Sequence, residues 1–199
     1  DLTRAKESGM MIIGGPLRIM FVTTHVAIKK LPSLLTQAKI EKSITLAHLA
    51  LTQLFGIKQP RIGIAALNPH AGEHGLFGDE EARVILPASR AAQAQGILAS
   101  DPLPADTLFG KAVKGQYDGI VAMYHDQGLI PLKLAGFRIG VNISAGLPIV
   151  RTSPDHGTAF DIAGKGVADP TSMRRAIATA VMIARNRAAA RRRIGRAHV

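Results

Sequence analysis

Three segments decide the fold of this 199-residue chain, and each is an apolar, β-branched run that closes on a histidine: FVTTH (residues 21–25), IAALNPH (64–70) and IVAMYH (120–125). Such runs are typical of buried strands. Helix-like sequence separates them, and this alternation favours a sheet of parallel strands. In such a sheet, ligand sites lie beyond the carboxyl ends of the strands. The sequence therefore predicts that His25, His70 and His125 meet at one end of a sheet.

Three converging imidazoles predict a metal site. A catalytic metal ion typically takes three protein ligands and keeps a position open for substrate. Other histidines fit this role less well. His74 follows His70 in the glycine-rich segment NPHAGEHG, where it and Glu73 suit a supporting or surface position, and His48 falls among apolar residues of a predicted helix and suits a structural role.

The remaining pattern predicts an α/β fold with a doubly wound, largely parallel sheet. Ser43 is predicted to cap a helix that runs to Phe55, the acids at 79–81 suit the first turn of another helix, and a closing helix is predicted over 170–187. The predicted strands are LRIMFV (17–22), RIGIAAL (61–67), GIVAMY (119–124) and two short candidates, IGVNI (139–143) and LPIVRT (147–152).

Composition excludes several classes of protein. The chain has no cysteine, which rules out disulfides and cysteine zinc clusters and favours a reducing, cytoplasmic location. No apolar run approaches the ~18 residues of a membrane span. The first residues lack the basic and apolar regions of a signal peptide.

The net charge of +11 is concentrated near the carboxyl terminus. Eight arginines and no acids follow residue 173, so the rest of the chain has 17 basic and 14 acidic side chains and a net charge of +3. The tail AAARRRIGRAHV (188–199) could contact phosphates, but stacking residues are scarce, with two Tyr and no Trp. We expect a solvated basic helix end and no nucleic-acid partner.

Two carboxylates accompany the histidines. Asp126 directly follows His125, where it could bind a metal, hold a water or orient an imidazole. Asp106 lies in PLPADTLF (102–109), where two prolines present it rigidly, and the same position also suits a helix N-cap.

Further downstream, polar residues suit an anionic ligand and a nucleotide. Lys133, Asn142 and Arg151 lie at or near the ends of short apolar stretches and together would suit a phosphate or a carboxylate, although each alone also fits an ordinary surface position. In SPDHGTAFDIAGKGVADP (153–170), backbone N–H groups could face a nucleotide and Asp161 could accept a bond from a ribose hydroxyl. The segment lacks GxGxxG, so an ordinary dinucleotide fingerprint is absent.

Four long motifs resemble the 4-hydroxythreonine-4-phosphate dehydrogenase family of pyridoxal phosphate biosynthesis. They occur in the family's order, and the resemblance runs over nearly all of residues 17–185. The motifs are NPHAGEHGLFGDEE (68–81), DPLPADTLF (101–109), YHDQGLIPLK (124–133) and VNISAGLPIVRTSPDHGTAFDIAGKG (141–166).

The resemblance implies a metal site and a substrate site. His25, His70 and His125 match the family's ligands for a divalent metal (Zn, Mg, Co or Ni), in a site completed across a homodimer interface. Lys133, Asn142 and Arg151 match its substrate-contacting residues. Asp106 and Asp126 match carboxylates beside the metal, and with Lys133 they form the expected catalytic set.

A further similarity concerns the cofactor and the fold. The segment DHGTAFDIAGKG resembles the adenosine-binding loop of isopropylmalate and isocitrate dehydrogenases and implies an isocitrate/isopropylmalate dehydrogenase-like fold. It nominates a set of residues for NAD or NADP: His156, Gly157, Thr158, Ala159 and Asp161.

The family also implies an activity and a domain plan. Its members oxidise a small phosphorylated hydroxy acid, 4-(phosphooxy)-threonine, and decarboxylate it to 3-amino-2-oxopropyl phosphate. Residues 1–150 would form a metal-binding and dimer-interface domain. Residues 151–199 would supply the cofactor loop and a helix that packs on an N-terminal domain absent from this chain, so we expect an incomplete two-domain protein.

Two other functions stay open. Relatives act on 4-phosphorylated threonate or erythronate, or on cyclic dihydrodiol dicarboxylates, and the same Lys, Asn and Arg would hold a carboxylate. The non-enzyme alternative is a truncated metal-binding domain without catalytic activity, or a basic nucleic-acid-binding module.

Overall fold

A seven-stranded mixed sheet forms the centre of the chain in the computed structural model, which describes residues 3–136, 140–155 and 157–196, without the side chains of 136 and 191–196. The strand order is β4-β3-β5-β2-β1-β6-β7. The strands are β1 (Gly9–Gly14), β2 (Leu17–Phe21), β3 (Ile62–Ala65), β4 (Ala99–Leu103), β5 (Gly119–Ala122), β6 (Val141–Ala145) and β7 (Thr152–Pro154).

Five of the seven strands point the same way, which confirms a largely parallel sheet. β4, β3, β5 and β2 pair in parallel, whereas β1 is antiparallel to both β2 and β6, and β7 is antiparallel to β6. We call the end of the sheet where β2, β3 and β5 finish its carboxyl end, and the opposite end its amino end.

Helices cover both faces of the sheet. The α-helices are α1 (Leu31–Leu34), α2 (Gln37–Gln53), α3 (Leu86–Ala94), α4 (Ala105–Val113), α5 (His125–Gly136) and α6 (Thr171–Arg196). One core contains Met20, Ile64 and Val121 with residues of α2, α3 and α6. The other contains Ile19, Phe21 and Ile120 with residues of α4 and α5. Neighbouring strand residues thus point to opposite faces, as pleated strands require, and the sheet is doubly wound.

The structure confirms the three histidine-ending strands and the closing helix, and it corrects three details. α2 begins at Gln37, not after Ser43, because Thr36 caps it through the Lys39 backbone N–H, and Ser43 is buried inside the helix. LPIVRT contributes only its last residue to a strand. β1 and β4 were not predicted. The division of the chain at residue 150 stays a prediction.

Among the helices that the structure describes, none is long and apolar enough to cross a membrane.

Candidate functional site at the carboxyl end of the sheet

Backbone pairing continues beyond the ends of β2 and β5 and brings two of the histidines together. The Val22 N–H donates to the Ala122 carbonyl at 2.9 Å, and the Thr23 hydroxyl donates to the Met123 carbonyl at 2.7 Å. Thr23 is 4% exposed, and its hydroxyl group holds the two strand ends side by side through this hydrogen bond. Two residues further on, the ring centroids of His25 and His125 lie 5.3 Å apart.

Asp126 orients the His125 ring. Its Oδ1 lies 2.7 Å from His125 Nδ1, and because a carboxylate only accepts, Nδ1 carries the proton. Nε2 is then the nitrogen left to bind a ligand, an arrangement common among metal-binding histidines. His25, His125 and Asp126 line one cavity of about 210 Å³, to which Tyr124 also contributes. Orienting an imidazole is one of the three roles that the sequence left open for Asp126.

Gln127, which the sequence did not single out, ties the neighbouring strand ends together. Its Oε1 accepts from the Met123 N–H at 2.7 Å, and its Nε2 donates to the Ala66 carbonyl at 2.6 Å. The next residue, Gly128, lets α5 approach the sheet, because a Cβ there would lie 2.6 Å from the Phe21 ring. The segment YHDQG (124–128) therefore positions the strand ends and also contains the candidate metal ligand His125.

His70 lies in a strained loop. Residues 70–74 all have positive φ, between +41° and +78°, and four of them carry a Cβ. Left-handed backbone costs an L-residue about 1 kcal/mol or more, so such a run persists only where its surroundings hold it. Strain of this kind is concentrated at functional sites, and its position here supports the predicted role of His70. We call residues 68–78 the His70 loop.

Glu81 holds this loop. It is 6% exposed, and its carboxylate accepts from the Leu67 N–H, the Asn68 N–H and Asn68 Nδ2 at 2.8 to 2.9 Å. A Cβ at Gly72 would lie 2.7 Å from Glu81 Oε2, so the loop backbone packs directly on the carboxylate. The sequence assigned the acids at 79–81 to the dipole of a helix. The structure gives Glu81 the additional task of anchoring the His70 loop.

A second cavity, of about 660 Å³, adjoins the first. It brings together His70 and Asp106, with Gln127 and Asp126 on its wall, so Asp126 borders both cavities. Asp106 is exposed and lies inside the first turn of α4. The N-cap position, which the sequence offered as an alternative role for Asp106, is occupied by Pro104. The three predicted histidines and two predicted carboxylates, His25, His70, His125, Asp106 and Asp126, therefore lie at one end of the sheet.

The residues suit a metal ion, although the described residues of one chain do not assemble a complete ligand set. No group of three metal-ligating side chains is close enough to hold an ion among the residues that the structure describes. His25 and His125 share one cavity, and His70 lines the next. Imidazole nitrogens suit transition metals such as zinc and nickel, whereas magnesium prefers oxygen ligands, so the donor chemistry fits the transition metals of the expected group better than magnesium.

Asn142 and Arg151 line a third cavity, of about 380 Å³, also at the carboxyl end of the sheet. Arg151 donates to the Ser144 hydroxyl at 2.9 Å. Lys133 is not among the described residues that line this cavity. Its side chain is exposed in the last turn of α5, so the structure brings together two of the three predicted substrate residues.

The predicted cofactor residues follow β7 at the surface. Gly157, Thr158, Ala159 and Asp161 are all exposed, and Ala159 has a left-handed backbone with φ +49°. His156 lies outside the described residues.

Charged groups at the amino end of the sheet neutralise one another. Asp118 accepts from the Arg61 backbone N–H at 2.8 Å and from its guanidinium at 3.0 and 3.1 Å. The side-chain hydrogen bond from Arg61 lowers the pKa of the Asp118 carboxyl, with burial opposing it, and the same bond raises the pKa of Arg61.

An α/β fold with histidines and carboxylates gathered beyond its parallel strands defines a class of proteins that bind small ligands at that end of the sheet. Comparison with known proteins gives the particular family. Residues 1–180 match the family model described as pyridoxal phosphate biosynthetic protein PdxA, and the chain belongs to this family.

Two curated relatives illustrate the similarity. A 4-hydroxythreonine-4-phosphate dehydrogenase from Caulobacter vibrioides is 54% identical over 187 residues, covering 94% of this chain and 56% of the relative. A D-threonate 4-phosphate dehydrogenase from Pectobacterium atrosepticum is 49% identical over 183 residues, covering 92% and 56%. The chain therefore spans about half the length of the curated relatives it matches.

Solved structures agree on the fold. A crystal structure of 4-hydroxythreonine-4-phosphate dehydrogenase from Klebsiella pneumoniae superposes with a TM-score of 0.82 at 47% identity, covering 90% of this chain and 56% of that one. A terephthalate 1,2-cis-dihydrodiol dehydrogenase from Burkholderia xenovorans superposes with a TM-score of 0.72 at 37% identity, covering 88% and 55%. The expected isocitrate dehydrogenase-like fold is confirmed.

Proposed function

We propose that this chain forms the metal- and substrate-binding part of an NAD(P)-dependent dehydrogenase that oxidises the secondary alcohol of 4-(phosphooxy)-threonine. The observation that carries the proposal is the arrangement at the carboxyl end of the sheet. His25, His125 and Asp126 line one cavity, and His70 and Asp106 line the cavity beside it, in a chain of the PdxA family.

The chain's own residues would bind the substrate and move its protons. Arg151 and Asn142 bind an anionic end of the substrate, and Lys133 holds the other anionic end. Asp106 or Asp126 accepts the hydroxyl proton as hydride leaves the same carbon, which produces a ketone β to the carboxylate. Loss of carbon dioxide and return of a proton to carbon then yield 3-amino-2-oxopropyl phosphate.

Two groups that this structure does not contain would complete the chemistry. His25, His70 and His125 would hold a divalent metal ion, which would supply Lewis acidity that favours loss of the hydroxyl proton and stabilises negative charge on oxygen. Bound NAD or NADP would supply the hydride acceptor. We propose that its adenosine half is held by His156, Gly157, Thr158, Ala159 and Asp161.

A second copy of the chain would complete the metal site. The proposal of a homodimer is supported by exposed apolar side chains beside the cavities, because such patches mark interaction surfaces. Leu76 and Phe77 of the His70 loop are 71% and 46% exposed, and Ile130 and Leu134 of α5 are 59% and 65% exposed. Sedimentation of the wild type and of the Ile130→Asp variant tests the proposed homodimer. The wild type should sediment as a dimer and the variant as a monomer.

The first experiment measures NADH formation from 4-(phosphooxy)-threonine, before and after thorough removal of metal by a chelator. We expect turnover that is lost with the metal and restored by adding it back. Turnover that survives metal removal contradicts the metal-dependent mechanism.

The second experiment measures metal binding itself, so that it does not depend on turnover. Equilibrium dialysis with Co²⁺ should show a roughly hundredfold weaker affinity in His125→Ala, since a ligand or its support typically contributes that much. His74→Ala is the matched control, because His74 lies in the same loop as His70 and its side chain is exposed. Equal weakening by both substitutions argues against His125 as a ligand.

Related substrates form the second candidate function. The relatives named above include a D-threonate 4-phosphate dehydrogenase and a dihydrodiol dehydrogenase. Side-by-side turnover of 4-(phosphooxy)-threonine, 4-phospho-D-threonate and a cyclic dihydrodiol dicarboxylate identifies the substrate. Metal binding without turnover of any of them would favour the inactive metal-binding domain.

A further inference from the structure

Helix α2 adds two lysines to the cavity that contains Asn142 and Arg151. This cavity of about 380 Å³ is lined by residues of β1, β2 and β6, and Lys39 and Lys42 of α2 also line it. Neither lysine belongs to the motifs that carry the family resemblance. They therefore constitute a feature of this chain that the proposed metal and substrate residues leave unexplained.

The helix itself directs these lysines toward the cavity. Positions three apart lie on the same side of a helix. Ile40 and Ser43 beside them are buried against the sheet, which leaves Lys39 and Lys42 half-buried at the rim of the helix. The Ser43 hydroxyl donates to the Lys39 carbonyl at 2.9 Å and so is used within the helix.

The charge of the cavity is strongly positive. Its described lining contains three cationic side chains and no carboxylate, together with hydroxyls from Ser8, Thr24 and Ser144. Lys42 approaches one acid, with Nζ 3.5 Å from Glu7 Oε1, but the Glu7 side chain is 56% exposed. An exposed pair of this kind contributes little free energy, so the ammonium group stays available to a ligand.

This excess of charge distinguishes two kinds of anion. A phosphate monoester carries a charge of about −1.5 to −2 at neutral pH, whereas a carboxylate carries −1. Arginine and asparagine bind either group, while lysine acts as a point charge whose attraction grows with the charge of the ligand. We propose that Lys39 and Lys42 are specificity-determining residues that make this cavity a subsite for the phosphate group of the substrate. The inference rests on the proposed function and selects phosphorylated hydroxy acids over cyclic dihydrodiol dicarboxylates.

The test is the double variant Lys39→Gln/Lys42→Gln in the full chain, with inorganic phosphate as the probe in titration calorimetry. We expect the dissociation constant for phosphate to rise about tenfold or more, as loss of two nearby charges requires, and to depend less steeply on salt. Lys29→Gln/Lys30→Gln is the matched control, since it removes the same charge from exposed positions outside the cavity and should change the constant less than about twofold. Lys39→Arg/Lys42→Arg should retain most of the affinity.

Three results overturn the inference: no phosphate binding by the wild type, no change in the Gln variant, or equal weakening in the control pair. Turnover separates this inference from the proposed function. In an active protein, the Gln variant should raise KM for the phosphorylated substrate about tenfold and leave KM for a dihydrodiol dicarboxylate unchanged. If the wild type turns over no substrate, the proposed function fails, and phosphate calorimetry still decides the subsite.

Discussion

The two ends of the sheet use charged residues for opposite purposes. At the amino end, Arg61 and Asp118 join the starts of β3 and β5, and each charge is neutralised by its partner. At the carboxyl end, Arg151 and Asp106 are exposed and line cavities, while a strained loop presents His70. The comparison teaches that charged groups at the amino end stabilise the fold by pairing, whereas exposed charge and backbone strain at the carboxyl end suit the proposed binding site, where stability is commonly traded for function.

Hydrogen-bonded polar groups beneath the carboxyl end maintain this difference. Thr23 and the half-buried Gln127 join strand ends, and Glu81 anchors the His70 loop. Because Thr23 and Glu81 are buried and satisfied, their loss should cost far more than the loss of the exposed residues they support. The predictions below test this contrast.

The largest effect is expected from Glu81→Ala. It leaves the N–H groups of Leu67 and Asn68 without their acceptor, and we expect a loss of about 3 kcal/mol in the free energy of unfolding, measured by urea denaturation. Glu80→Ala is the matched control, because Glu80 is less buried and accepts a hydrogen bond from Asn68 Nδ2. This substitution should lower the free energy of unfolding by less than about 1 kcal/mol. Similar losses in the two variants would remove Glu81 from its anchoring role.

Gly72→Ala should cost about 2 kcal/mol, because its φ is +78° and the new Cβ would lie 2.7 Å from Glu81 Oε2. Gly75→Ala separates the two causes. Its φ is +97° but nothing lies within 4 Å of the new Cβ, so it should cost only about 1 kcal/mol. Urea denaturation measures both, and a reversed order would show that contact with Glu81 does not limit the loop.

Asp118→Asn tests the amino end of the sheet. We expect the free energy of unfolding to fall by about 1 kcal/mol at neutral pH. The value is modest because the Arg61 side chain is 51% exposed and solvent screens the ion pair. Since folding lowers the pKa of Asp118, its contribution is complete above the ordinary carboxyl pKa and disappears as pH falls through the lowered value.

Unfolding measured across the acidic range should therefore show the wild type and Asp118→Asn converging at low pH. The variant should bind Co²⁺ and phosphate as the wild type does. A constant difference in stability at all pH values would contradict the assigned cause.

The smallest effect on stability is expected from Asp106→Asn. Asp106 is exposed, so the free energy of unfolding should change by less than about 0.5 kcal/mol. If Asp106 transfers a proton in the proposed reaction, turnover should nonetheless fall about a hundredfold or more. Loss of stability without loss of turnover would place Asp106 with the structural residues and break the contrast between the two ends.

Much of the fold could be predicted because its signals are local. The runs before His25, His70 and His125 are apolar and β-branched, and each forms a buried strand. β4 was missed because ASDPL is polar and contains a proline, and it is recognisable as a strand only beside β3. The start of α2 was misplaced because Thr36 and Ser43 are equally good caps in isolation, and burial of Ile40 decides between them.

The site was predicted less completely, for a physical reason. Residue chemistry and motif spacing nominated the histidines and carboxylates, and the structure places them at one end of the sheet. Gln127 and Lys39 were not nominated, since a glutamine in a helix or a lysine on its surface carries no local signal. Their roles depend on contacts with residues that are distant in the sequence, such as the Ala66 carbonyl that accepts a hydrogen bond from Gln127.

The sequence by itself determined which chemistry this protein carries: the strands, the histidines that close them, and the family to which they belong. Only the tertiary structure decided how those groups are shared among cavities, which buried residues hold them, and where positive charge accumulates. The reason is that a strand is encoded in successive residues. A cavity, by contrast, is lined by residues as distant in the chain as Lys39 and Arg151, and their proximity depends on the packing of the whole sheet.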